Sequence, residues 1–298
     1  MHLSIKDNKQ QLWYILLIVC FTIGLLYIKF PSKALTNYIR VEAEKRFPDI
    51  NIDFNKIGLT LSPGIKIRGL RISLKGNPDI PVYVSEKLSV RVSIWSWLKG
   101  DPRYYFTSKI KGGEITGFLE EKNEVKKERI DAAVDIEGLM LDKNIFIHPM
   151  ISERLEGVLA GKITFMGNLS DPLKGNTEIS LNLSGGKIKF KKPILDLDEL
   201  EFNKMNISGV IDNRRLSIKD LNMTGGPANC TATGTIQISN DFLNSRLNIK
   251  TEIEPLPSSY QEMPAVKNAI NLVKNKMKDG KFRIDFQGTL DKVTPKFR

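Results

Sequence analysis

Leu88-Ser89-Val90-Arg91-Val92-Ser93-Ile94 alternates apolar and polar residues without a break. In a β-strand successive side chains point to opposite faces, so this spacing puts Leu88, Val90, Val92 and Ile94 on one side. Ser89, Arg91 and Ser93 fall on the other. A helix would scatter the same residues around its circumference. The stretch therefore reads as a half-buried strand, and the chain is read outward from it with period two.

Upstream, Ile50, Ile52 and Phe54 alternate with Asn51, Asp53 and Asn55, and Leu59 and Leu61 lead into the turn Ser62-Pro63-Gly64. Ile65 and Ile67 follow, then Leu70, Ile72 and Leu74, with Gly69 shifting the phase as a bulge would. Downstream, the same alternation returns in Gly161 to Gly167, in Ile179-Ser180-Leu181-Asn182-Leu183, and in segments near 202–207, 216–223, 234–238, 247–253 and 282–286. The Gly-Gly pairs 112–113, 185–186 and 225–226 read as turn glycines between strands, not as phosphate loops. Loose echoes between segments suggest a repeated hairpin unit, though no fixed period emerges.

Two helices interrupt this grammar. Ser32 to Phe47 carries Leu35, Tyr38, Ile39 and Ala43 on one face, with Ser32 as candidate N-cap and Pro48 as its stop. A second runs from Pro264 toward Gly280, with Val266, Ile270, Val273 and Met277 as its apolar stripe. Glu120 to Arg129 (EEKNEVKKER) lacks an apolar face and reads as an exposed linker between an α/β segment, 30–119, and a β-rich region, 130–298. Roughly fifteen strands with two covering helices leave aliphatic surface to dispose of, so the sheet must fold over, close or stay open as a groove. The expected class is mainly β: an elongated antiparallel sheet, either a half-pipe or a sandwich. Leu88, Val90, Val92 and Ile94, with Ile179, Leu181 and Leu183, are the candidate groove lining, and an open groove would hold acyl chains.

Leu12 to Ile28 (LWYILLIVCFTIGLLYI) is of another kind, an uncharged apolar run of about 17 residues, the lower limit for crossing a bilayer as a helix. Trp13, Tyr14 and Tyr27 lie near its ends, where amphipathic rings favour the headgroup level. Lys29-Phe30-Pro31-Ser32 offers no small-residue cleavage site, so the run, with Lys29, reads as an uncleaved anchor over 12–29. The flanking cations do not decide orientation. A short tail, 1–11, against a large β-rich remainder favours a cytoplasmic N-terminus and an exported domain.

The net charge of +11 is carried by Lys and Arg scattered singly along alternating segments such as Lys66, Arg68, Arg71 and Lys187, Lys189, Lys191. Without an aromatic-studded basic cluster, nucleic acid is discarded as a partner. Two readings stay open for these cations: a solvated strand face, or attraction to anionic headgroups beside the anchor. Cys20 lies inside the apolar run and Cys230 far from it, so there is no disulfide framework and no metal spacing. His2 and His148 have no partner at catalytic spacing, and Asp196 and Asp198 lack further ligands for calcium. No catalytic residue, cofactor or metal site is expected.

The order of anchor, amphipathic helix, Ile57-Gly58-Leu59-Thr60-Leu61-Ser62-Pro63-Gly64-Ile65-Lys66-Ile67-Arg68-Gly69-Leu70-Arg71-Ile72, then Ser85 to Val92 and Trp95-Ser96-Trp97-Leu98-Lys99-Gly100 resembles the start of AsmA-like envelope proteins. Length and the closing Phe286-Gln287-Gly288-Thr289-Leu290 with Pro295 look most like the type II secretion system protein N family of AsmA-like architecture. That resemblance implies an inner-membrane protein with its bulk in the periplasm of a Gram-negative cell and no catalytic residues. The expected function is an accessory component of the type II secretion apparatus, acting through contacts with its other components. The alternative is an AsmA-like protein that binds or transfers phospholipid.

Overall fold

The computed structural model describes residues 13–15, 17–18, 21–22, 24–25, 29–60, 62–124, 127–141, 154–168, 171–194, 197–256, 271 and 274–298. After helix α1 (Ser32–Arg46) come β1 (Ile50–Asp53), β2 (Lys56–Leu59), β3 (Gly64–Leu74) and β4 (Asn77–Val92). A short helix, α2 (Ile94–Leu98), leads to β5 (Arg103–Ile110), β6 (Gly113–Glu124), β7 (Lys127–Met140) and β8 (Arg154–Gly167). The rest is β9 (Asn176–Ile194), β10 (Leu197–Asp212), β11 (Arg215–Thr224), β12 (Ala228–Gln237), β13 (Arg246–Pro255), β14 (Phe282–Thr289) and β15 (Val293–Phe297), with single 3-10 turns in three connections.

All 15 strands belong to one sheet in which sequence neighbours pair, the pairings being antiparallel; β1 and β2 share one flank of β3. The sandwich alternative is corrected by this topology: nothing in the strand order stacks a second sheet on the first. Sheets of more than about ten strands curl under their own twist. Here Ile110 of β5, Ile136 and Leu139 of β7, Leu183 of β9, Phe202 of β10 and Met223 of β11 meet in one buried cluster. One large antiparallel sheet is the form that the period-two pattern takes.

Among the described residues, the helix that packs on the sheet lies over the first strands. Leu35 and Ile39 of α1, together with Phe30, pack on Phe54, Ile57, Ile67 and Leu70. Tyr38, expected on the same face, points to solvent at 66% exposure. Ser32 is the first helical residue and not the cap; Pro31 holds that position without a side-chain hydrogen bond. Arg40 bridges to Asp53 at 2.5 Å and lies over the Phe54 ring. Both charged partners are largely exposed, so the pair fixes the angle of α1 more than it stabilises the fold.

Gly69 does change the phase of β3, through a positive φ of 63° and not through an extra residue. Buried positions pass from Ile67 to Leu70, while pairing with β4 keeps the same register from Arg68–Lys87 to Leu70–Ser85. The Gly-Gly reading needs one correction. Gly112 and Gly225-Gly226 do turn the chain between strands, but Gly185 and Gly186 lie inside β9. A Cβ at Gly186 would stand where the ring of Phe202 packs, so its missing side chain makes room for one of the most buried aromatics, 2% exposed.

The charged stretch 120–129 is not a linker. Glu120–Asp131, Glu121–Ile130, Lys122–Arg129 and Glu124–Lys127 are paired positions of a β6–β7 hairpin. Asp131 draws two of the surrounding cations, Lys122 across the strands at 2.5 Å and Arg129 along its own strand at 3.0 Å. That is how a segment without an apolar face joins a sheet.

The described residues of the N-terminal run (13–15, 17–18, 21–22 and 24–25) are helical, and Trp13, Tyr14, Ile15, Leu17, Ile18, Phe21 and Leu25 are all exposed. Among the described residues no helix is long and apolar enough to cross a membrane. The tail 1–11, His148, Asp196, Cys20 and most of the helix expected over 264–280 lie outside the described residues.

Candidate functional site: an apolar trough

The register aligns apolar residues across the sheet in continuous rows. One reads Ile67, Leu88, Ser108, Ile115, Ile136, Gly161, Leu181, Ile207, Leu221, Ala232, Thr251, Ile284, each paired with the next. Two residues along each strand, or three on β11 where the register shifts, a second row reads Ile65, Val90, Phe106, Gly117, Val134, Ile163, Ile179, Gly209, Ile218, Gly234, Ile249, Phe286. A third starts at Val92 and passes through Tyr104, Leu119, Ala132 and Phe165. Odd and even positions alternate faces, so these rows share one side of the sheet. The intervening positions, such as Arg91, Thr107, Thr116, Asp135, Lys162 and Ser180, share the other. At about 4.8 Å per strand the apolar side extends on the order of 50 Å across the sheet.

Of the lining residues named from sequence, Leu88, Val90, Val92, Ile179 and Leu181 are half-buried members of these rows, and Leu183 is buried at 5% exposure. Ile94 is not in the wall. Ser93 ends the strand as the cap of α2, and Ile94 swings out with that helix to 51% exposure. The sequence reading missed Phe106, Val134, Ile163, Phe165, Ile207 and Ile249. Their signal was present as local alternation, but which rows they extend follows only from register.

Half-burial is the telling property. Fully packed interiors exclude water from both sides, whereas most row members here keep part of their surface open. Closure is greatest under α1 and in the cluster around Leu139 and Phe202, at 1% and 2% exposure. Small residues interrupt the rows at Gly117, Gly161, Gly209 and Gly234, and the neighbouring Phe106 ring and Leu181 side chain lean over the first two. One polar island lies near the α1 end: Tyr83 Oη donates to Ser108 Oγ at 2.6 Å, and Ser85 and Ser108 share a bond of 2.7 Å. Ser85 also donates to the Lys109 carbonyl, so these buried hydroxyls are satisfied within the wall.

The opposite face carries charge. Arg103 stacks over Phe118 and donates to Glu120 at 2.6 Å, and the hydrogen bonds to Glu120 and then Tyr105 raise its pKa. Burial works against ionisation of Asp131, but hydrogen bonds from Lys122 and Arg129 outweigh it and hold the carboxyl below its ordinary range. Shallow depressions on the mid-sheet, about 430 Å³ around Ser180, Asn182, Asn206 and Asp220 and about 210 Å³ around Lys162 and Glu178, are open and mixed in character. Asp198 is exposed on β10, and among the described residues no group of His, Cys, Asp and Glu is placed to hold a metal. Burial pushes the Cys230 thiol up to about 11, so it stays a protonated, packed side chain at neutral pH.

No family model, no curated protein and no solved structure matches the chain.

Proposed function

We propose that this protein is a membrane-anchored, non-enzymatic carrier that holds phospholipid acyl chains in its apolar trough on the exported side of the inner membrane. One observation carries the reading: paired aliphatic rows run the length of a single-layer sheet and stay half-open. An open apolar surface of this extent is costly in water and is the solvent an acyl chain needs. The exposed apolar helix residues from Trp13 to Leu25 supply the anchor, and the AsmA-like resemblance agrees with both.

Photo-crosslinking tests this proposal. A photoreactive residue at Ile163 or Leu181 is expected to form phospholipid adducts in cells, whereas the same residue at Lys162 or Ser180, one position away on the other face, forms none. Adducts at all four sites, or at none, would sink the carrier. Leu181→Arg should lose the adduct while the sheet stays folded, because a half-open wall lets the guanidinium reach water.

A second reading, an accessory component of the type II secretion apparatus, is favoured by a separate feature. Every residue of β15 is exposed, and β15 ends the strand order, paired on one side only. Such an edge accepts a partner strand, although Pro295 and Lys296 blunt it. Removing residues 293–298 would then block secretion without changing lipid occupancy.

A further inference from the structure

The β4–β5 connection carries a concentration of exposed apolar surface. Ile94 is 51%, Trp95 76%, Trp97 63% and Leu98 65% exposed, all within α2. This tip is held and not frayed. Ser93 caps the helix by accepting from the Ser96 amide. Ser96 Oγ donates to the Ser93 carbonyl at 2.9 Å and accepts from the Arg103 amide at 2.9 Å. The polar side chain of the turn is thus used internally, and both indoles are presented outward.

Topology fixes where the tip stands. From Ile50 the chain runs back along α1, so the end of β2 at Leu59 lies level with the start of α1. Leu59 pairs with Ile65 and Ile65 with Val90. Val92 is one pair further out, its amide bonded to the Pro63 carbonyl, and α2 follows directly. Sideways, the β4–β5 tip is about two strand spacings from β2, roughly 10 Å. The N-terminal apolar helix arrives at the same corner. Lys29 still closes a helical turn on Leu25, and the Leu35 amide already bonds the Pro31 carbonyl. That connection is too short to let the bilayer surface stand far from the first turn of α1.

We propose that α2 is a second membrane contact, seated at the headgroup level of an anionic bilayer beside the anchor with Trp95, Trp97 and Leu98 inserted. Tryptophan favours that depth because its ring is apolar and its N–H still finds water or headgroups. The surrounding charge fits anionic lipid. Lys99 follows the helix, Arg91 is exposed on the last turn of β4, and Arg68 and Lys87 are paired positions beside Lys66. Lys87 and then Arg68 depress the Lys66 pKa, the mark of cations crowding one another. Asp101, Glu120 and Glu121 are the nearby carboxylates: Glu120 is committed to Arg103, and Glu121, its amide bonded to the Pro102 carbonyl, is exposed on β6. The contact deepens the proposed function, resting on its anchor, because two attachments would fix the first strands of the trough against the bilayer.

The chain has three tryptophans, so fluorescence can separate the two attachments. The full chain is reconstituted in phosphatidylcholine–phosphatidylglycerol vesicles containing phosphatidylcholine brominated at shallow or deep acyl positions. With Trp13→Phe, the Trp95 and Trp97 emission should shift to the blue and lose intensity, more with the shallow label than with the deep one. Replacing phosphatidylglycerol by neutral lipid, or Lys99→Glu, should weaken that quenching. The companion W95F/W97F chain leaves Trp13 to report the anchor, and circular dichroism confirms that each variant folds. Quenching of Trp13 with unquenched, red-emitting Trp95 and Trp97 would overturn the inference and leave the anchor standing; it would point to a protein partner at the tip. Loss of quenching at Trp13 as well would overturn the anchor itself. Quenching unchanged without anionic lipid would remove the charge from the account.

Discussion

The two buried clusters solve the same problem by different means. Under α1, a helix is laid on the sheet, and Ile57 reaches 1% exposure between Leu35, Ile39 and the strands. Between β5 and β12 no helix of the described residues covers the face, and burial is concentrated in the cluster around Leu139 and where glycine admits a large ring. The first region is a conventional two-layer core. The second is a wall, closed at a few points and open along most of its length. Their difference underlies the proposed site: the carrier reading rests on the apolar surface that α1 does not cover.

Substituting Ile57→Asp should break the covered region outright. It places an unpaired carboxylate where no water reaches, at a cost of roughly 4 kcal/mol or more, and thermal unfolding monitored by circular dichroism should show loss of the cooperative transition or a large fall in midpoint. If Leu181→Arg in the open wall cost as much, the contrast between the regions would fail.

A smaller effect sharpens the contrast inside the wall. Phe202→Ala should cost about 3–5 kcal/mol, since the ring's place beside Gly186 would be left as a cavity. Gly186→Ala attacks the same contact from the other side and should cost about 1–3 kcal/mol by overpacking. The double variant should cost less than the sum, because the smaller side chain at 202 relieves the crowding. Strict additivity in denaturant titrations would show that the two positions do not meet.

The smallest expected effect concerns the polar face. The Asp131 carboxyl has a depressed folded pKa, so its contribution to stability is present above the unfolded value and fades as pH falls through the folded one. Asp131→Asn should therefore narrow the stability difference between neutral and acid pH relative to the parent. A variant whose loss is equal at pH 7 and at pH 2 would mean the interaction is not ionic.

Much of this was legible residue by residue. Leu88 to Val92 and Ile179 to Leu183 announce strands with one aliphatic side, and both segments lie where that pattern places them. The boundaries failed where a local cue served another purpose. Ile94 continues the alternation in sequence yet leaves the sheet, because Ser93 caps a helix there. Glu120 to Arg129 has a linker's composition, but its backbone pairs along a neighbouring strand and Glu120 and Lys122 find opposite charges on adjacent strands, which no single-strand reading can see.

The sequence by itself determined the period of the strands, the sign of each face, the helix that becomes α1 and the apolar character of residues 12–28. These depend on neighbours two to four positions apart, and such neighbours are written in the chain. Only the tertiary structure decided that the strands form one open layer, that their aliphatic residues align into rows across it, and that α2 stands at the corner where the N-terminal helix enters. Register and covering are properties of pairs of segments. An aliphatic strand face satisfies a second sheet, a helix or a ligand equally well, so its pattern names the need and leaves the occupant to the fold.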